Sequence, residues 1–503
     1  MSQYQGLDPV TKVHTGIEGL EHITQGGLPA GRPTLLSGSA GAGKTILALQ
    51  LLYLGATKLD RPGVFVTLEE PAREIVRNVK GFGWDLPALD DAGRLRIVDA
   101  SPSLLPEEEA GPFDLGALLA RIEYAIEAIG ARFLVIDSLG SLFQRYNNAN
   151  LVRREVYRIV ESVRAMDVTA LLTAERRNEY GAISEYGVEE FVADNAIILR
   201  NVLKEEKVRR TIQVLKMRGD SHFKGEFPFT ISKDGISILP LAARQLKQSS
   251  SNNRVSIGNE ELDAMAGGGL FRDSVFLISG PTGGGKTLMA NTFAAEGCSK
   301  GERVLMLAYE ESRAQLLRNA QSWGMDFADW EERGLLRLVC QYPESLGLED
   351  HLLTIQREIE SFRPSRLVMD SVSAMERVGP VTFFREFVIG LTSYAKEQEI
   401  CSLFTATTPK LAGGDSITEA HISTITDAII LLRYVETNGK MRRGIAIIKM
   451  RGSQHDKDIH EFTIGSDGMH ILGAFENVQN IILGIPSTIP PSEREQLEDM
   501  FQH

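Results

Sequence analysis

The fold of this chain is decided by the stretch Gly38-Ser39-Ala40-Gly41-Ala42-Gly43-Lys44-Thr45. A short β-rich run, residues 34–37, precedes it, and the apolar run 46–52 that follows is typical of a buried helix. A strand, a glycine-rich loop and a helix in this order form a phosphate-binding P-loop. The glycines let backbone amides turn towards phosphate oxygens, and the helix adds its positive N-terminus.

The P-loop stretch occurs a second time, about 240 residues later, as Gly280-Pro281-Thr282-Gly283-Gly284-Gly285-Lys286-Thr287. Three other motifs recur in the same order at nearly the same offset: 66–71 with 307–312, 133–138 with 366–371, and 216–219 with 449–452. This period is too long for a solenoid, so the chain is a duplicated domain. We predict domains at 10–246 and 254–483, a polar linker at 247–253 and a C-terminal tail at 484–503.

Within each copy, short β-rich runs alternate with helical patterns, which predicts a mostly parallel sheet with helices on both faces. Strand patterns such as 196–200 and 210–215 follow towards the end of the first copy. The predicted fold class is therefore α/β, with two tandem RecA-like P-loop domains that end in added antiparallel strands.

The motifs predict two sites for ATP and Mg²⁺. Lys44 and Lys286 are expected to reach the terminal phosphates. Asp137 and Asp370 each end an apolar strand, the position from which a carboxylate holds Mg²⁺ through water. The candidate metal ligands are Thr45, Thr287 and Glu310. The remaining candidate nucleotide contacts lie in the two loops: Gly38, Ser39, Gly41, Ala42, Gly43, Gly280, Thr282, Gly283, Gly284 and Gly285.

Two pairs of carboxylates, Glu69-Glu70 and Glu310-Glu311, follow apolar strands at the same place in both copies. One carboxylate near the terminal phosphate could orient and deprotonate a nucleophile. The alternative is a pair of surface glutamates that stabilise a helix N-terminus. Their recurrence favours catalysis.

A second recurring motif, Lys-Met-Arg-Gly, provides Lys216 and Arg218 in the first copy and Lys449 and Arg451 in the second. In ring-forming ATPases such a cation can reach the nucleotide of a neighbouring subunit. A solvated strand end explains the motif equally well.

The two copies differ at one informative place, where Glu190 and Phe191 of the first copy correspond to Ser423 and Thr424 of the second. A hydroxyl can accept a phosphoryl group and an aromatic ring cannot. We therefore predict phosphorylation of Ser423 and Thr424, although a Ser/Thr-rich segment is often only a loop.

The composition limits which binding partners and which cellular compartment we expect. The net charge is −13, which weighs against nucleic acid as a partner. No apolar run is long enough for a membrane span or a signal peptide, so we expect a cytoplasmic protein without a membrane partner. Cys298, Cys340 and Cys401 are far apart and form no CxxC pair, which argues against disulfides and a cysteine zinc site.

Residues 12–485 resemble the KaiC family, circadian clock ATPases and autokinases, above all in 63–70, 310–319 and 421–427. The resemblance implies a homohexameric double ring with ATP between neighbouring subunits. It implies slow ATP hydrolysis in the first domain, with Glu69 as the base that activates water. In the second domain Glu310 would activate Ser423 and Thr424 of the adjacent subunit. Thr418 and Arg377 match further positions near these acceptors.

The chain departs from the family at its C-terminal tail, which is short and acidic at 492–503. Clock-type members carry a longer tail that recruits the activator KaiA. The resemblance therefore predicts a KaiB-like partner and leaves a KaiA-like activator open. Two other interpretations also stay open at this point, a RecA-like motor on nucleic acid and an ATP-switched scaffold without phosphotransfer.

Overall fold

The computed structural model describes residues 10–101, 114–143, 149–184, 193–204, 207–240, 250–408, 422–437, 439–476, 478–479, 481 and 487–488. The chain divides into two compact units, Met1–Arg244 and Gln245–His503.

The strands of the first unit follow one another along the chain as β1 to β11. Their bounds are β1 Lys12–Val13, β2 Leu28–Pro29, β3 Pro33–Gly38, β4 Gly63–Thr67, β5 Leu95–Asp99, β6 Phe133–Asp137, β7 Thr169–Glu175, β8 Asn195–Lys204, β9 Lys207–Met217, β10 Phe227–Ser232 and β11 Gly235–Ile238. Among the described residues, nine of them form one sheet in the order β11-β10-β9-β8-β3-β7-β6-β4-β5. The neighbours from β8 to β5 are parallel, and β8 to β11 pair antiparallel.

The second unit repeats this topology with β12 to β24. Their bounds are β12 Arg254–Val255, β13 Leu270–Phe271, β14 Val275–Gly280, β15 Val304–Ala308, β16 Leu336–Cys340, β17 Arg366–Asp370, β18 Cys401–Thr407, β19 Ala428–Thr437, β20 Lys440–Met450, β21 His460–Gly465, β22 Gly468–Ala474, β23 Val478–Gln479 and β24 Ser487–Thr488. Within the described ranges its sheet has nine strands in the order β16-β15-β17-β18-β14-β19-β20-β21-β22. Both sheets are mostly parallel with antiparallel strands at one end, so the predicted fold class is confirmed.

Helices connect successive parallel strands from β3 to β7 and from β14 to β18, as parallel pairing requires. In the first unit the α-helices span Leu20–Ile23, Lys44–Lys58, Ala72–Val79, Leu86–Asp91, Leu115–Ile129, Leu139–Phe143 and Ala149–Ala165, with a 3₁₀ turn at Lys80–Phe82. In the second they span Glu260–Met265, Lys286–Ser299, Arg313–Ser322, Phe327–Glu332, Leu348–Phe362 and Val381–Glu397, with 3₁₀ turns at Pro343–Ser345 and Val372–Arg377. No helix in the described part of the chain is both long and apolar enough to span a membrane.

The first sheet has a separate core on each face. Phe65 of β4 packs in one hydrophobic cluster, whereas its neighbours Val64 and Val66 pack in the other. Consecutive side chains of a strand point to opposite faces, so an unbroken apolar run is buried on both sides. The helix Lys44–Lys58 covers the first face, and the helices Leu115–Ile129 and Ala149–Ala165 cover the second. The catalytic candidates therefore lie at strand ends, where the apolar runs stop.

Candidate active sites

Each P-loop strand leads through its glycine-rich loop directly into a long helix. The last loop glycine has a φ of 97° at Gly43 and 100° at Gly285, in the left-handed region that favours glycine. A Cβ atom at Gly43 would lie 3.0 Å from Ile231 Cδ1, and one at Gly285 would lie 3.2 Å from Ile464 Cδ1. These two positions therefore require glycine both for backbone conformation and for space.

The loop of the first unit holds a buried lysine. Lys44 Nζ donates hydrogen bonds to the carbonyl oxygens of Gly38, at 3.0 Å, and Ser39, at 3.1 Å. Inside the loop, the Ala42 N–H donates to Ser39 O at 3.2 Å. Lys44 Nζ also lies 3.6 Å from Glu175 Oε1 at the end of β7. The ammonium group is thus held at the mouth of the predicted phosphate cradle.

Next to the lysine, a threonine and an aspartate bring oxygen atoms together. Thr45 Oγ1 donates to Asp137 Oδ2 at 2.7 Å, and Thr173 Oγ1 donates to the other oxygen, Asp137 Oδ1. Carboxylate and hydroxyl oxygens are the ligands that Mg²⁺ prefers, usually together with waters and substrate phosphates. The donor set therefore fits a magnesium ion bound with a nucleotide.

The two glutamates of the first carboxylate pair have different hydrogen-bond partners. Ser138 donates a hydrogen bond to Glu69 Oε1, while Asn78 Nδ2 donates to Glu70 Oε2 at 3.1 Å. Burial raises the pKa of Glu69, against the hydrogen bond from Ser138, and the nearby charges of Glu175 and Asp137 raise it further. A carboxylate with a raised pKa is a stronger base once it is ionised. Glu69 is the member of the pair that faces the other acidic groups of the site.

The second unit repeats the cation and the metal-binding pair. Lys286 Nζ donates to the carbonyl oxygens of Gly280, at 3.0 Å, and Pro281, at 2.9 Å. Thr287 Oγ1 donates to Asp370 Oδ2 at 2.8 Å, and Thr405 donates to Asp370 Oδ1. The Gly284 N–H donates to Pro281 O at 3.1 Å inside the loop.

Burial governs the charges of this second site. It lowers the pKa of Lys286, and the carboxylates of Asp370 and Glu310 oppose this effect. It raises the pKa of Asp370, whereas the hydrogen bonds from Thr405 and Thr287 lower it. An anionic ligand with a metal ion would compensate both charges, because each is disfavoured by its loss of water.

The two glutamates of the second carboxylate pair also have different hydrogen-bond partners. Ser371 Oγ donates to Glu310 Oε1 at 3.1 Å, and Asn319 Nδ2 lies 3.4 Å from both oxygens of Glu311. Burial raises the pKa of Glu311, and the charge of Asp370 adds to this. Both glutamates line a cavity of about 340 Å³. The other residues that line it are Thr282, Gly283, Lys286, Thr287, Ala308, Leu316, Asp370 and Thr407.

The Lys-Met-Arg-Gly motif of the second unit contacts the segment that carries the predicted acceptors. Lys449 Nζ donates to the carbonyl oxygens of Ser423 and Thr426, and Arg451 donates to that of Thr424 at 2.8 Å. The side chain of Thr424 is exposed, and that of Ser423 is half-buried. The two cations thus fix the backbone of this segment and leave the Thr424 hydroxyl at the surface.

The remaining sequence candidates lie elsewhere. Arg218 pairs with Asp194 at 3.5 Å, and Lys216 lies on β9 opposite Ala196 of β8. Arg377 pairs with Glu344 at 3.2 Å. Glu190, Phe191 and Thr418 lie outside the described residues.

Sequence reasoning missed the polar partners that strand order brings to the sites: Thr173, Glu175, Ser138, Thr405 and Ser371. Thr173 and Glu175 lie on β7, which separates β6 from the P-loop strand β3 in the sheet. A comparison of the copies at this strand would have found them, because Thr173 recurs as Thr405 whereas Glu175 becomes Thr407.

Known proteins resemble this chain over nearly its whole length. The family model for the KaiC ATPase matches residues 13–243 and 255–476. The circadian clock oscillator protein KaiC of Picosynechococcus is 54% identical over 493 residues, which cover 98% of this chain and 96% of the relative. KaiC of Synechococcus elongatus is 53% identical, over 97% of this chain and 94% of the relative. The circadian clock protein KaiC3 of Synechocystis is 53% identical, over 99% of both chains. This chain therefore belongs to the KaiC family of ATPases.

Proposed function

We propose that this protein is a circadian clock ATPase whose first domain hydrolyses ATP and whose second domain phosphorylates another copy of the same protein. The observation that carries the ATPase function is the duplicated set of a buried P-loop lysine and a threonine–aspartate pair. The clock role is supported by relatives that are named circadian clock proteins and align over nearly the whole chain.

In both domains the lysine would bind the terminal phosphates and the threonine–aspartate pair would hold Mg²⁺. The magnesium ion, when bound, supplies positive charge that offsets the charge developing on the phosphoryl oxygens. Lys44 and Lys286 add a cation from the protein side. Glu310 remains a candidate for the metal shell of the second site, where its charge acts on Lys286.

In the first domain the acceptor is water. The water oxygen attacks the γ-phosphorus, the bond to the β–γ bridging oxygen breaks, and ADP leaves with that electron pair. Glu69 accepts one proton from the water, and Ser138 holds the carboxylate in place. Glu70 is the alternative base if Glu69 is not required.

In the second domain the acceptor is a protein hydroxyl of Ser423 or Thr424 on the adjacent subunit. The hydroxyl oxygen attacks the γ-phosphorus, ADP leaves as before, and Glu310 takes the hydroxyl proton. The exposed Thr424 side chain and the backbone contacts from Lys449 and Arg451 support this assignment. A phosphate there would add about −1.5 to −2 charges next to these two cations.

Transfer between subunits requires an assembly, and we propose the homohexamer of the family with ATP between neighbours. We also propose a KaiB-like partner for the first domain. A KaiA-like activator is left open.

Phosphopeptide mapping after incubation with Mg²⁺-ATP tests the autokinase. We expect phosphate on Ser423 and Thr424, loss of it in Lys286→Ala, and its retention in Lys44→Ala, because the first P-loop does not serve this site. A Ser423→Ala/Thr424→Ala variant controls for other acceptors. Wild-type protein that hydrolyses ATP but carries no phosphate at either residue would contradict the autokinase and favour an ATP-driven scaffold.

A further inference from the structure

The end of strand β7 differs chemically between the two copies. Glu175 lies opposite Gly38, the last residue of the first P-loop strand. In the second unit Thr407 lies opposite Gly280 in the same register. One position beside the nucleotide site therefore carries a carboxylate in the first domain and a hydroxyl in the second.

Glu175 belongs to the first site by its contacts. Its Oε1 lies 3.6 Å from Lys44 Nζ, and its side chain remains 45% exposed. Thr173, two residues earlier on the same face of β7, binds Asp137. Glu175 thus lies beside the phosphate-binding lysine, and its charge is close enough to Glu69 to act on it.

The two proposed acceptors differ in how many protons they carry. A water molecule has two O–H groups, so a base that accepts one of them leaves the other free to rotate. A serine or threonine hydroxyl has a single O–H group, and its carbon chain already fixes its position. Orientation of water therefore benefits from a second hydrogen-bond acceptor, which a protein hydroxyl does not need.

We propose that Glu175 is a water-positioning residue that specialises the first domain for hydrolysis. This inference rests on the proposed function, in which Glu69 is the base. Glu175 accepts a hydrogen bond from the O–H that Glu69 does not take. During the step the water oxygen bonds to the γ-phosphorus, ADP leaves with the electron pair of the broken P–O bond, and Glu69 receives the proton. The second proton stays on the oxygen of the released phosphate.

A simpler role for Glu175 is to neutralise Lys44, and the two roles differ in what they predict for kcat. If the carboxylate only competes with phosphate for Lys44, its removal lowers KM for ATP and leaves kcat unchanged. If it orients water, its removal lowers kcat and does not raise KM, because a negative charge beside the γ-phosphate has been removed.

The test uses full-length Lys286→Ala protein, so that ATP turnover reports on the first domain. Glu175→Thr introduces the residue of the second copy, and we expect kcat to fall roughly 10- to 100-fold with binding of a fluorescent ATP analogue retained. Glu175→Gln keeps an acceptor oxygen, so its kcat should fall less than that of Glu175→Thr. Glu123→Gln, an exposed carboxylate on the helix Leu115–Ile129, should match the parent.

Four outcomes discriminate among the possibilities. A kcat within about twofold of the parent in Glu175→Thr overturns the water-positioning role, and so does a lower KM at unchanged kcat. If Glu69→Gln leaves turnover intact while Glu175→Thr does not, the proposed base is wrong instead. In the second domain of Lys44→Ala protein, Thr407→Glu should raise the ratio of free phosphate to phosphoprotein, and an unchanged ratio counts against the inference.

Discussion

Replacing Thr405 by valine removes a hydroxyl from the second site with almost no change of shape. Thr405 is fully buried and donates to Asp370 Oδ1, while Thr287 serves the other oxygen at 2.8 Å. The variant therefore leaves one oxygen of the proposed magnesium-binding carboxylate without its donor.

The size of the effect follows from the charge on Asp370. A hydrogen bond to a charged group contributes roughly 1.5–3 kcal/mol, which corresponds to a factor of about ten or more in an equilibrium constant, and its loss raises the pKa of Asp370. Burial already raises the pKa of Asp370, so the loss of the donor raises it further. Because Mg²⁺ binds the ionised carboxylate, affinity for Mg²⁺-ATP should fall about tenfold or more, and the loss should grow as the pH is lowered.

The assay is titration of a fluorescent ATP analogue with Mg²⁺ into Lys44→Ala protein, in which the first site is silenced, at about pH 8 and pH 6. Thr405→Ser keeps the hydroxyl and should bind like the parent. Thr173→Val changes the equivalent donor of the first domain and should leave second-site binding unchanged. If Thr405→Val bound the analogue as tightly as its parent at both pH values, the reasoning from the Asp370 hydrogen bonds would be wrong.

Two further perturbations have definite outcomes. First-domain ATP turnover should fall as the pH is lowered through the pKa of Glu69, because only the ionised carboxylate acts as a base. Since the pKa of Glu69 is raised from its ordinary value of 4.5, the fall should occur above pH 4.5. A fall in turnover that begins only below pH 4.5 would contradict this. Gln50→Leu removes both hydrogen bonds to the Ile236 backbone, at 3.0 and 2.7 Å. We expect a local loss of about 2–5 kcal/mol, seen as faster hydrogen exchange at β11, and unchanged protection would refute it.

The sequence was sufficient for the features that chemistry ties to fixed spacing. A P-loop needs its glycines, lysine and threonine in one short run, so the loops at Gly43 and Gly285 could be found without a structure. The strand run at 63–67 could be recognised because it is apolar on both faces. Duplication strengthened each of these predictions, since the same pattern had to fold twice.

What the sequence could not provide was the order of strands in the sheet. β7 lies between β6 and β3, although it follows β6 along the chain and β3 precedes both. The proximity of Glu175 to Lys44 depends on that order and on the register of the pairing. Likewise, the sequence allowed two interpretations of Lys449, as a contact with the nucleotide of a neighbouring subunit or as part of a solvated strand end. The chain itself adds a third contact, with the carbonyl oxygens of Ser423 and Thr426.

The location of the sites at strand ends has a consequence for how the gene could diverge after duplication. Residues within the strands are buried on both faces, so large-to-small substitutions there cost roughly 2–5 kcal/mol of stability. Residues that directly follow the apolar run, such as Glu175 and Thr407, lie outside the hydrophobic clusters and beside the candidate sites. Single substitutions at these positions can therefore change the chemistry of one copy without disturbing the core of its fold, which is how the proposed hydrolase and kinase domains could arise from one duplicated domain.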